Sequence, residues 1–95
     1  MYLLLLNYVR PLAEVEQYIT AHVAFLDKFY AQNKFIVSGR RKPRTGGVIL
    51  ARADSLAEVQ QIINQDPFHQ NGAAEYDIIE FAPTNFDPQF ASFVD

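Results

Sequence analysis

A histidine and an aspartate in this sequence are placed where two predicted helices could bring them together. His22 falls within the apolar stripe of the first predicted helix, so its ring should face the interior. Asp66 precedes Pro67 where the second predicted helix ends, and we expect it to be extended and near solvent. A carboxylate that accepts from one imidazole nitrogen fixes the tautomer and makes the other nitrogen more basic. Such a pair could move a proton next to a carbonyl group.

The residues alone leave a structural alternative open for this pair. A core histidine can simply be satisfied by a carboxylate at a helix end, with no chemistry attached. Ser38, beside Gly39 at the end of a predicted strand, could hydrogen-bond a substrate or the His22–Asp66 pair. No Gly-x-Ser-x-Gly turn surrounds Ser38, which argues against a nucleophilic role. Three aromatic residues could line an apolar cleft or belong to the core: Tyr8, Phe68 and Tyr76.

A cluster of positive charge is the second feature with chemical potential. Arg40, Arg41, Lys42 and Arg44 make up half of the eight basic residues in a chain of net charge −3. A local positive potential attracts a carboxylate or phosphate ligand. Arg40 and Arg44 are predicted to contact such a ligand, whereas Arg41 and Lys42 fit a solvated loop tip better.

These residues need a scaffold, and the apolar pattern predicts one. The predicted elements are a strand over 2–9, a helix over 12–32, strands over 34–39 and 48–53, a helix over about 55–65 and a strand over 73–82. Residues 68–72 are predicted to form a loop, and Gly46 and Gly47 to supply a tight reversal. The order is that of a ferredoxin-like α+β fold, with a four-stranded antiparallel sheet and two helices on one face.

The first and last predicted strands are apolar on both faces, although two helices can cover only one face of the sheet. We therefore predict a homodimer in which two sheets pack face to face. Residues 1–95 form a single predicted domain with its core in 1–82. The tail, residues 83–95, carries Phe86, Phe90 and Phe93 and is expected to pack on the protomer or on the dimer partner.

Composition argues against several classes of function. Eleven acidic residues against eight basic ones do not suit a general nucleic-acid binder. The absence of cysteine excludes disulfides and thiolate metal sites. One histidine and one aspartate are too few ligands for a metal, and no phosphate-cradling or dinucleotide motif is present, so no metal or cofactor is predicted. With neither a signal peptide nor a membrane span, a cytoplasmic protein is expected.

Several stretches together resemble the YciI-like (YCII-related) proteins over residues 1 to about 82. They are the N-terminal strand, His22, Phe35-Ile36-Val37-Ser38-Gly39, the run from Pro43-Arg44-Thr45 to Ala51, and Asp66-Pro67-Phe68. The resemblance implies a dimeric α+β barrel with an active site around His22 and Asp66, where Pro67 and Phe68 would help bind the substrate. One kind of member is a dehalogenating lyase for chlorinated muconolactones, and muconolactone isomerases share the barrel plan. This chain departs from the common Ser-Gly-Pro motif, because Arg40 follows Ser38 and Gly39.

Three hypotheses about function follow. The first is a lyase or isomerase that acts by His22–Asp66 proton transfer on a small carboxylate- or lactone-bearing molecule. The second is a non-catalytic dimeric module that binds a small anion in the same cleft. The third is a dimer with a purely structural role. A ligand in the cleft would count against the third, and turnover lost in His22→Ala with binding kept would separate the first two.

Overall fold

The computed structural model describes residues 1–94, and its elements follow the predicted order. The strands are β1 (Tyr2–Tyr8), β2 (Phe35–Arg40), β3 (Gly46–Ala51) and β4 (Ala74–Glu80); the helices are α1 (Leu12–Glu16), α2 (Ile19–Ala31), α3 (Leu56–Ile63) and α4 (Pro67–Gln70), followed by a 3₁₀ helix (Pro88–Phe93). The four strands form one antiparallel sheet in the order β2-β3-β1-β4. The predicted ferredoxin-like α+β fold is confirmed. Among residues 1–94, no helix is both long and apolar enough to cross a bilayer.

The first predicted helix is interrupted. The backbone N–H of Gln17 donates to Glu14 at 3.2 Å and that of Tyr18 to Val15 at 3.0 Å, both three residues back. Such bonds form the tighter 3₁₀ turn rather than the α-helical one. The prediction of one helix over 12–32 is therefore wrong: a short α1 leads through this turn into α2, which carries His22.

The segment after α3 also differs from its prediction as a loop. Asp66 is extended (φ −75°, ψ 121°), as expected before a proline, and its side chain accepts from the N–H of Phe68 at 3.0 Å. This cap, with Pro67 at the first helical position, starts α4. Gly72, with φ +67°, follows α4 in the left-handed conformation common just after a helix end. Residues 67–70 are therefore helical, which anchors Phe68.

A β-bulge in β2 decides which side chains face the helices. The β2–β3 register shifts between Phe35 and Val37, so Ile36 is an extra residue in the ladder. Regular alternation would put Phe35 and Ser38 on opposite faces. With the bulge, Ser38 lies opposite the buried Ile49 and shares the helix-covered face with Phe35, while Val37 points the other way and is 56% exposed.

The glycines at the start of β3 serve a close approach of strands. A Cβ on Gly46 would lie 1.8 Å from the carbonyl oxygen of Leu6 on β1. Gly46 and Gly47 both belong to β3. Neither has the positive φ of a tight reversal; among the glycines of residues 1–94, Gly72 has one. The expectation that the two glycines form the reversal itself is wrong. Gly46 instead lets β1 and β3 approach beside the cavity described below.

The sheet face away from the helices is apolar over much of β1, β2 and β3. The prediction that the last strand is apolar on both faces is wrong, because β4 places Glu75 and Asp77 beside Ile79 on this face. Its side chains alternate with the buried ones along each strand, and several stay exposed or half-exposed: Leu3, Leu5, Val37, Val48, Leu50 and Ile79. Val37 and Ile79 are 56% and 47% exposed in the single chain. That a second copy of the sheet covers these residues stays a prediction.

The tail contacts the protomer through Arg52. The Arg52 guanidinium donates to the carbonyl oxygen of Ser92 at 3.4 Å and lies 6.0 Å from the centre of the Phe93 ring. Phe86 and Phe93 are 42% and 37% exposed, and Phe90 is half-buried. Asp95 lies outside the described residues. Packing of residues 83–95 on the protomer or across a dimer stays a prediction.

Candidate active site

A cavity of about 240 Å³ lies between α2 and the helix-covered face of the sheet. The predicted site residues that line it are His22, Ser38, Gly39, Arg40, Arg44 and Phe68. Apolar side chains from α2 and the central strands complete the wall, among them Leu6, Ile19, Leu26 and Ile49. Residues from five elements and the β2–β3 loop thus meet in one concave space, as expected of a binding site for a small molecule.

His22 and Asp66 are in contact at the wall of this cavity. The Nδ1 atom of His22 lies 2.8 Å from Oδ1 of Asp66. The His22 side chain is 14% exposed and that of Asp66 is 0% exposed. The expectation that Asp66 lies near solvent is therefore wrong, because α4 and β4 place donors around the carboxylate and close it off. A carboxylate buried this completely must be held by hydrogen bonds.

Three donors satisfy the Asp66 carboxylate. Oδ1 accepts from His22 and from the Phe68 N–H, and Oδ2 accepts from the hydroxyl of Tyr76. Because an ionised carboxylate can only accept, the ring proton of a neutral His22 belongs on Nδ1. This leaves the lone pair of Nε2, which has no protein partner among residues 1–94, for a ligand in the cavity.

Aromatic packing fixes the plane of the His22 ring. The ring stacks on Phe68, with centroids 4.1 Å apart and planes 12° from parallel. Phe68 is 2% exposed and packs in a T-shaped arrangement with Tyr8, with ring centroids 5.8 Å apart. Hydrogen bonding at Nδ1 and stacking at the ring face together leave the imidazole little freedom to turn. A ring held this way is already oriented toward a ligand in the cavity and needs little reorganisation to meet it.

Ser38 is held by a residue that the sequence did not single out. Its Oγ lies 2.7 Å from the hydroxyl of Tyr30 on α2, and either oxygen can donate. The suggested bond from Ser38 to the His22–Asp66 pair is not formed in the structure. The Tyr30–Ser38 pair instead places a hydroxyl group in the cavity wall, where it can meet a polar ligand atom.

The basic cluster divides between the cavity and the outer surface. Arg44 donates through Nη1 to Glu16 Oε1 at 3.0 Å, and its Nε is buried with no hydrogen-bond partner within residues 1–94. Arg40 is exposed and lines the cavity. Arg41 donates to Asn7 at 2.6 Å, so it is bonded rather than merely solvated, and Lys42 is exposed. Buried N–H donors almost always have a partner, so the free Nε of Arg44 marks a place for an acceptor.

Two predicted residues have positions other than those expected. Pro67 is not among the residues that line the cavity; it occupies the first position of α4 and so helps place Phe68. Tyr76 does not line the cavity either; its hydroxyl donates to Asp66 Oδ2, the oxygen that His22 does not contact. The sequence carries no local signal for this contact, nor for that between Glu16 and Arg44. Among residues 1–94, no three side chains of the kinds that ligate metals come together.

Tyr76 should make the stability of the fold depend on pH in the alkaline range. Burial, and then the charge and hydrogen bond of Asp66, raise the pKa of Tyr76 far above its ordinary value of 10.0. The unfolded chain releases this proton near pH 10 while the folded chain keeps it. The stabilisation is therefore complete below pH 10 and is lost as pH rises from there toward the folded pKa.

The expected loss is about 1.4 kcal/mol of unfolding free energy per pH unit above about pH 10. Denaturant unfolding of the wild type and of Tyr76→Phe between pH 8 and 11 measures it. The variant should lack this part of the slope, whereas Tyr18→Phe should retain it. Parallel curves for the wild type and Tyr76→Phe would contradict the assignment.

Comparisons with known proteins agree with this fold. The model of the family described as "YCII-related domain" matches residues 1–82. The chain is similar to the uncharacterised protein YjpA of Bacillus subtilis (strain 168), with 32% identity over 66 residues, 70% of this chain and 78% of that protein. It is also similar to the solved structure of 5-chloro-2-hydroxyhydroquinone dehydrochlorinase (TftG) from Burkholderia phenoliruptrix AC1100 in complex with 2,5-dihydroxybenzoquinone. That match has a TM-score of 0.71 and 26% identity, and covers 85% of this chain and 93% of that one.

Proposed function

Because the chain belongs to the YCII-related family, we propose that it is a lyase or isomerase that moves a proton through His22 and Asp66. Its substrate would be a small molecule that bears a carboxylate, a lactone or a comparable acidic oxygen. The observation that carries the proposal is the 2.8 Å contact between a wholly buried Asp66 and a histidine in the wall of a cavity. The contact orients His22 so that Nε2 is available to a ligand.

The chemistry begins with the lone pair of Nε2. Nε2 takes a proton from a carbon next to a carbonyl group, and the electrons of the broken C–H bond move onto the carbonyl oxygen. The Asp66 carboxylate stabilises the positive charge that His22 gains. An isomerase then returns the proton from His22 to another carbon. In a lyase, the electrons return from the oxygen and expel a leaving group together with its bonding pair.

The charges around the cavity suit the oxygen that becomes negative. Arg44 has a buried Nε–H without a partner, and Arg40 adds a second positive charge to the lining. Donors that are in place before the reaction stabilise a developing oxyanion with little reorganisation. The same donors would bind a carboxylate already present in the substrate, since hydrogen bonds between charged groups are the stronger kind.

The dehydrochlorinase named above supports the lyase form of the proposal. Loss of hydrogen chloride is the removal of a proton followed by departure of chloride. The ligand in that structure, 2,5-dihydroxybenzoquinone, is a flat ring with acidic oxygens. Such a ring would lie against the apolar wall of the cavity here, with its oxygens toward Arg44 and Arg40. We extend both the reaction type and the ligand to this chain as proposals.

The test combines turnover with binding. Chloride release from 5-chloro-2-hydroxyhydroquinone, and isomerisation of a panel of unsaturated γ-lactones, would be followed with the purified protein. Binding of 2,5-dihydroxybenzoquinone and of small carboxylic acids would be followed by thermal shift. Turnover of any of these supports the enzyme. Ligands that bind without turnover and equally well to His22→Ala would favour the second candidate, a module that only binds small anions.

Replacing Arg44 should weaken binding of an acidic ligand. Arg44→Gln removes the buried donor and the charge, so we expect the Kd for 2,5-dihydroxybenzoquinone to rise about 10- to 100-fold, the loss of one hydrogen bond to a charged group. Titration calorimetry measures the constant. Lys42→Gln is the matched control, because it removes the same charge from an exposed position outside the cavity lining. Equal affinities of the two variants would rule out Arg44 as the anchor.

A second copy of the chain is the proposed cover of the open sheet face. The exposed apolar residues of that face form a patch on the central and outer strands, and a homodimer would bury them. A two-fold contact brings the same patch of each sheet together. The assembly would be the barrel that the family resemblance implies.

Val37→Asp should break this dimer. Val37 is 56% exposed on the open face, and a carboxylate there would be buried opposite an apolar sheet in the dimer. Size exclusion with light scattering at micromolar concentration should give twice the chain mass for the wild type and the single chain mass for the variant. Leu12→Asp, at an exposed apolar residue at the start of α1, should leave the dimer intact. A wild type that is a stable monomer would refute the proposal.

A further inference from the structure

Tyr76 is a half-buried titratable residue that the proposed chemistry does not use. It lies on β4 opposite Leu6 of β1, on the helix-covered face of the sheet, and is not part of the cavity lining. Its hydroxyl donates to Oδ2 of Asp66, the oxygen that His22 does not contact. Asp66 therefore lies between the Tyr76 hydroxyl and His22, the proposed proton carrier, and bonds one with each of its oxygens.

We propose that Tyr76 is a positioning residue: it keeps Asp66 in the state and orientation that hold the ring proton of His22 on Nδ1. The inference rests on the proposed function only for its effect on catalysis. The chain of contacts itself, from Tyr76 through Asp66 to His22, stands on the geometry alone.

The two oxygens of Asp66 are supported differently. Oδ1 accepts from the Phe68 N–H, which belongs to the same capping turn, and from His22. Oδ2 has the Tyr76 hydroxyl as its protein donor within residues 1–94. Asp66 is 0% exposed, so bulk water cannot replace that donor. Without Tyr76, an anionic Oδ2 would be buried and unpaired, which is costly in a protein interior.

Protonation of Asp66 would relieve the unpaired negative charge, and it would change the tautomer of the His22 ring. A buried carboxyl group that loses one of its donors is neutralised by uptake of one proton, and the resulting acid has an O–H that donates. With that proton on Oδ1, the oxygen that faces the ring, His22 Nδ1 would accept from Asp66 and the ring proton would move to Nε2. In this tautomer the nitrogen available to the cavity carries a proton and cannot act as a base. The Tyr76 hydroxyl thus determines which nitrogen of His22 can react.

The surroundings of Tyr76 suit a fixed donor. Its strand, β4, is at the edge of the sheet but is paired along its whole length with the central strand β1, so a strand rather than a loop places the hydroxyl. The ring of His69 packs against it at 6.1 Å. Burial and the Asp66 charge raise the pKa of Tyr76, so the hydroxyl keeps its proton and remains a donor at neutral and moderately alkaline pH.

The test is the ¹⁵N spectrum of the His22 ring, recorded above the pH at which the ring titrates. The chemical shifts of the two nitrogens report which one carries the proton. We expect the Nδ1–H tautomer in the wild type and a loss of its predominance in Tyr76→Phe. Tyr2→Phe is the matched control, since the Tyr2 hydroxyl also bonds a carboxylate, Glu80 Oε2 at 3.1 Å, at the other end of β1. It should keep the wild-type spectrum.

A kinetic measurement on the same variants adds a second readout. If a substrate is turned over, Tyr76→Phe should lower kcat about 10- to 100-fold, as loss of such supporting contacts commonly does, with KM little changed because Tyr76 does not line the cavity. Should Tyr76→Phe fail to fold, 3-fluorotyrosine at position 76 replaces it. This residue keeps the donor but makes it more acidic, so the shift of His22 Nδ1 should move.

A wild-type tautomer with the proton on Nε2 overturns the proposal, as does a His22 spectrum that is unchanged in Tyr76→Phe or, where that variant does not fold, in the 3-fluorotyrosine protein. The spectrum needs no substrate. Its failure is therefore distinct from a failure of the proposed enzyme, which would appear as absent turnover with the tautomer still dependent on Tyr76.

Discussion

His22→Ala should lower kcat on any substrate that the protein turns over by about 10²- to 10⁴-fold, the usual contribution of a general acid–base group. The variant removes the nitrogen that accepts the proton. It leaves the remainder of the cavity, including Arg44 and Ser38, in place. Binding of 2,5-dihydroxybenzoquinone should weaken far less than turnover, because its oxygens would meet Arg44 and Arg40. Steady-state kinetics and calorimetry on the same preparation separate the two effects.

The second histidine of the chain provides the control. His69 lies on α4, exposed and outside the cavity lining, so His69→Phe removes an imidazole while it keeps an aromatic ring against Tyr76. It should retain wild-type kcat. A His22→Ala protein that is folded and fully active would exclude the proposed chemistry, and equal losses in both variants would point to a general effect on the fold.

Asp66→Ala should produce the largest loss of stability of the substitutions considered, about 3–5 kcal/mol, the range found when one partner of a buried charged network is removed. Three donors lose their acceptor at once: the Tyr76 hydroxyl, the Phe68 N–H and His22 Nδ1. The first turn of α4 also loses its cap. Small domains are stable by only about 5–15 kcal/mol, so the variant should unfold at much lower denaturant concentration.

Asp66→Asn separates stability from chemistry. The amide keeps the volume and one acceptor oxygen, so the loss of stability should be smaller than in Asp66→Ala. It has no negative charge to stabilise protonated His22, and kcat should fall by about 10²-fold. Asp27→Ala, at an exposed position on α2, is the control for both measurements. Equilibrium denaturation that gives the same midpoint for Asp66→Ala and Asp27→Ala would show that the buried network contributes little to the fold.

Much of the fold, and the two residues that meet at the cavity wall, could be predicted from the sequence, because the signals that place them are local. Apolar periodicity marks the strands and helices and places His22 on an inward-facing stripe. A proline after Asp66 predicts the extended backbone found there. The consecutive apolar residues of β1 likewise indicate that this strand is apolar on both faces of the sheet. Each of these follows from steric and solvation preferences of neighbours in the chain.

The tertiary structure alone decided how the site is built around that pair. The bulge at Ile36 places Ser38 and Arg40 on the face that lines the cavity. Strict alternation from Phe35 would place both on the opposite face. The contacts of Asp66 with Tyr76, and of Arg44 with Glu16, join elements that meet only after the sheet has formed. The burial of Asp66 follows from the same assembly. Such features depend on strand register and on packing between distant segments, and the energies that fix them do not appear in any local stretch of sequence.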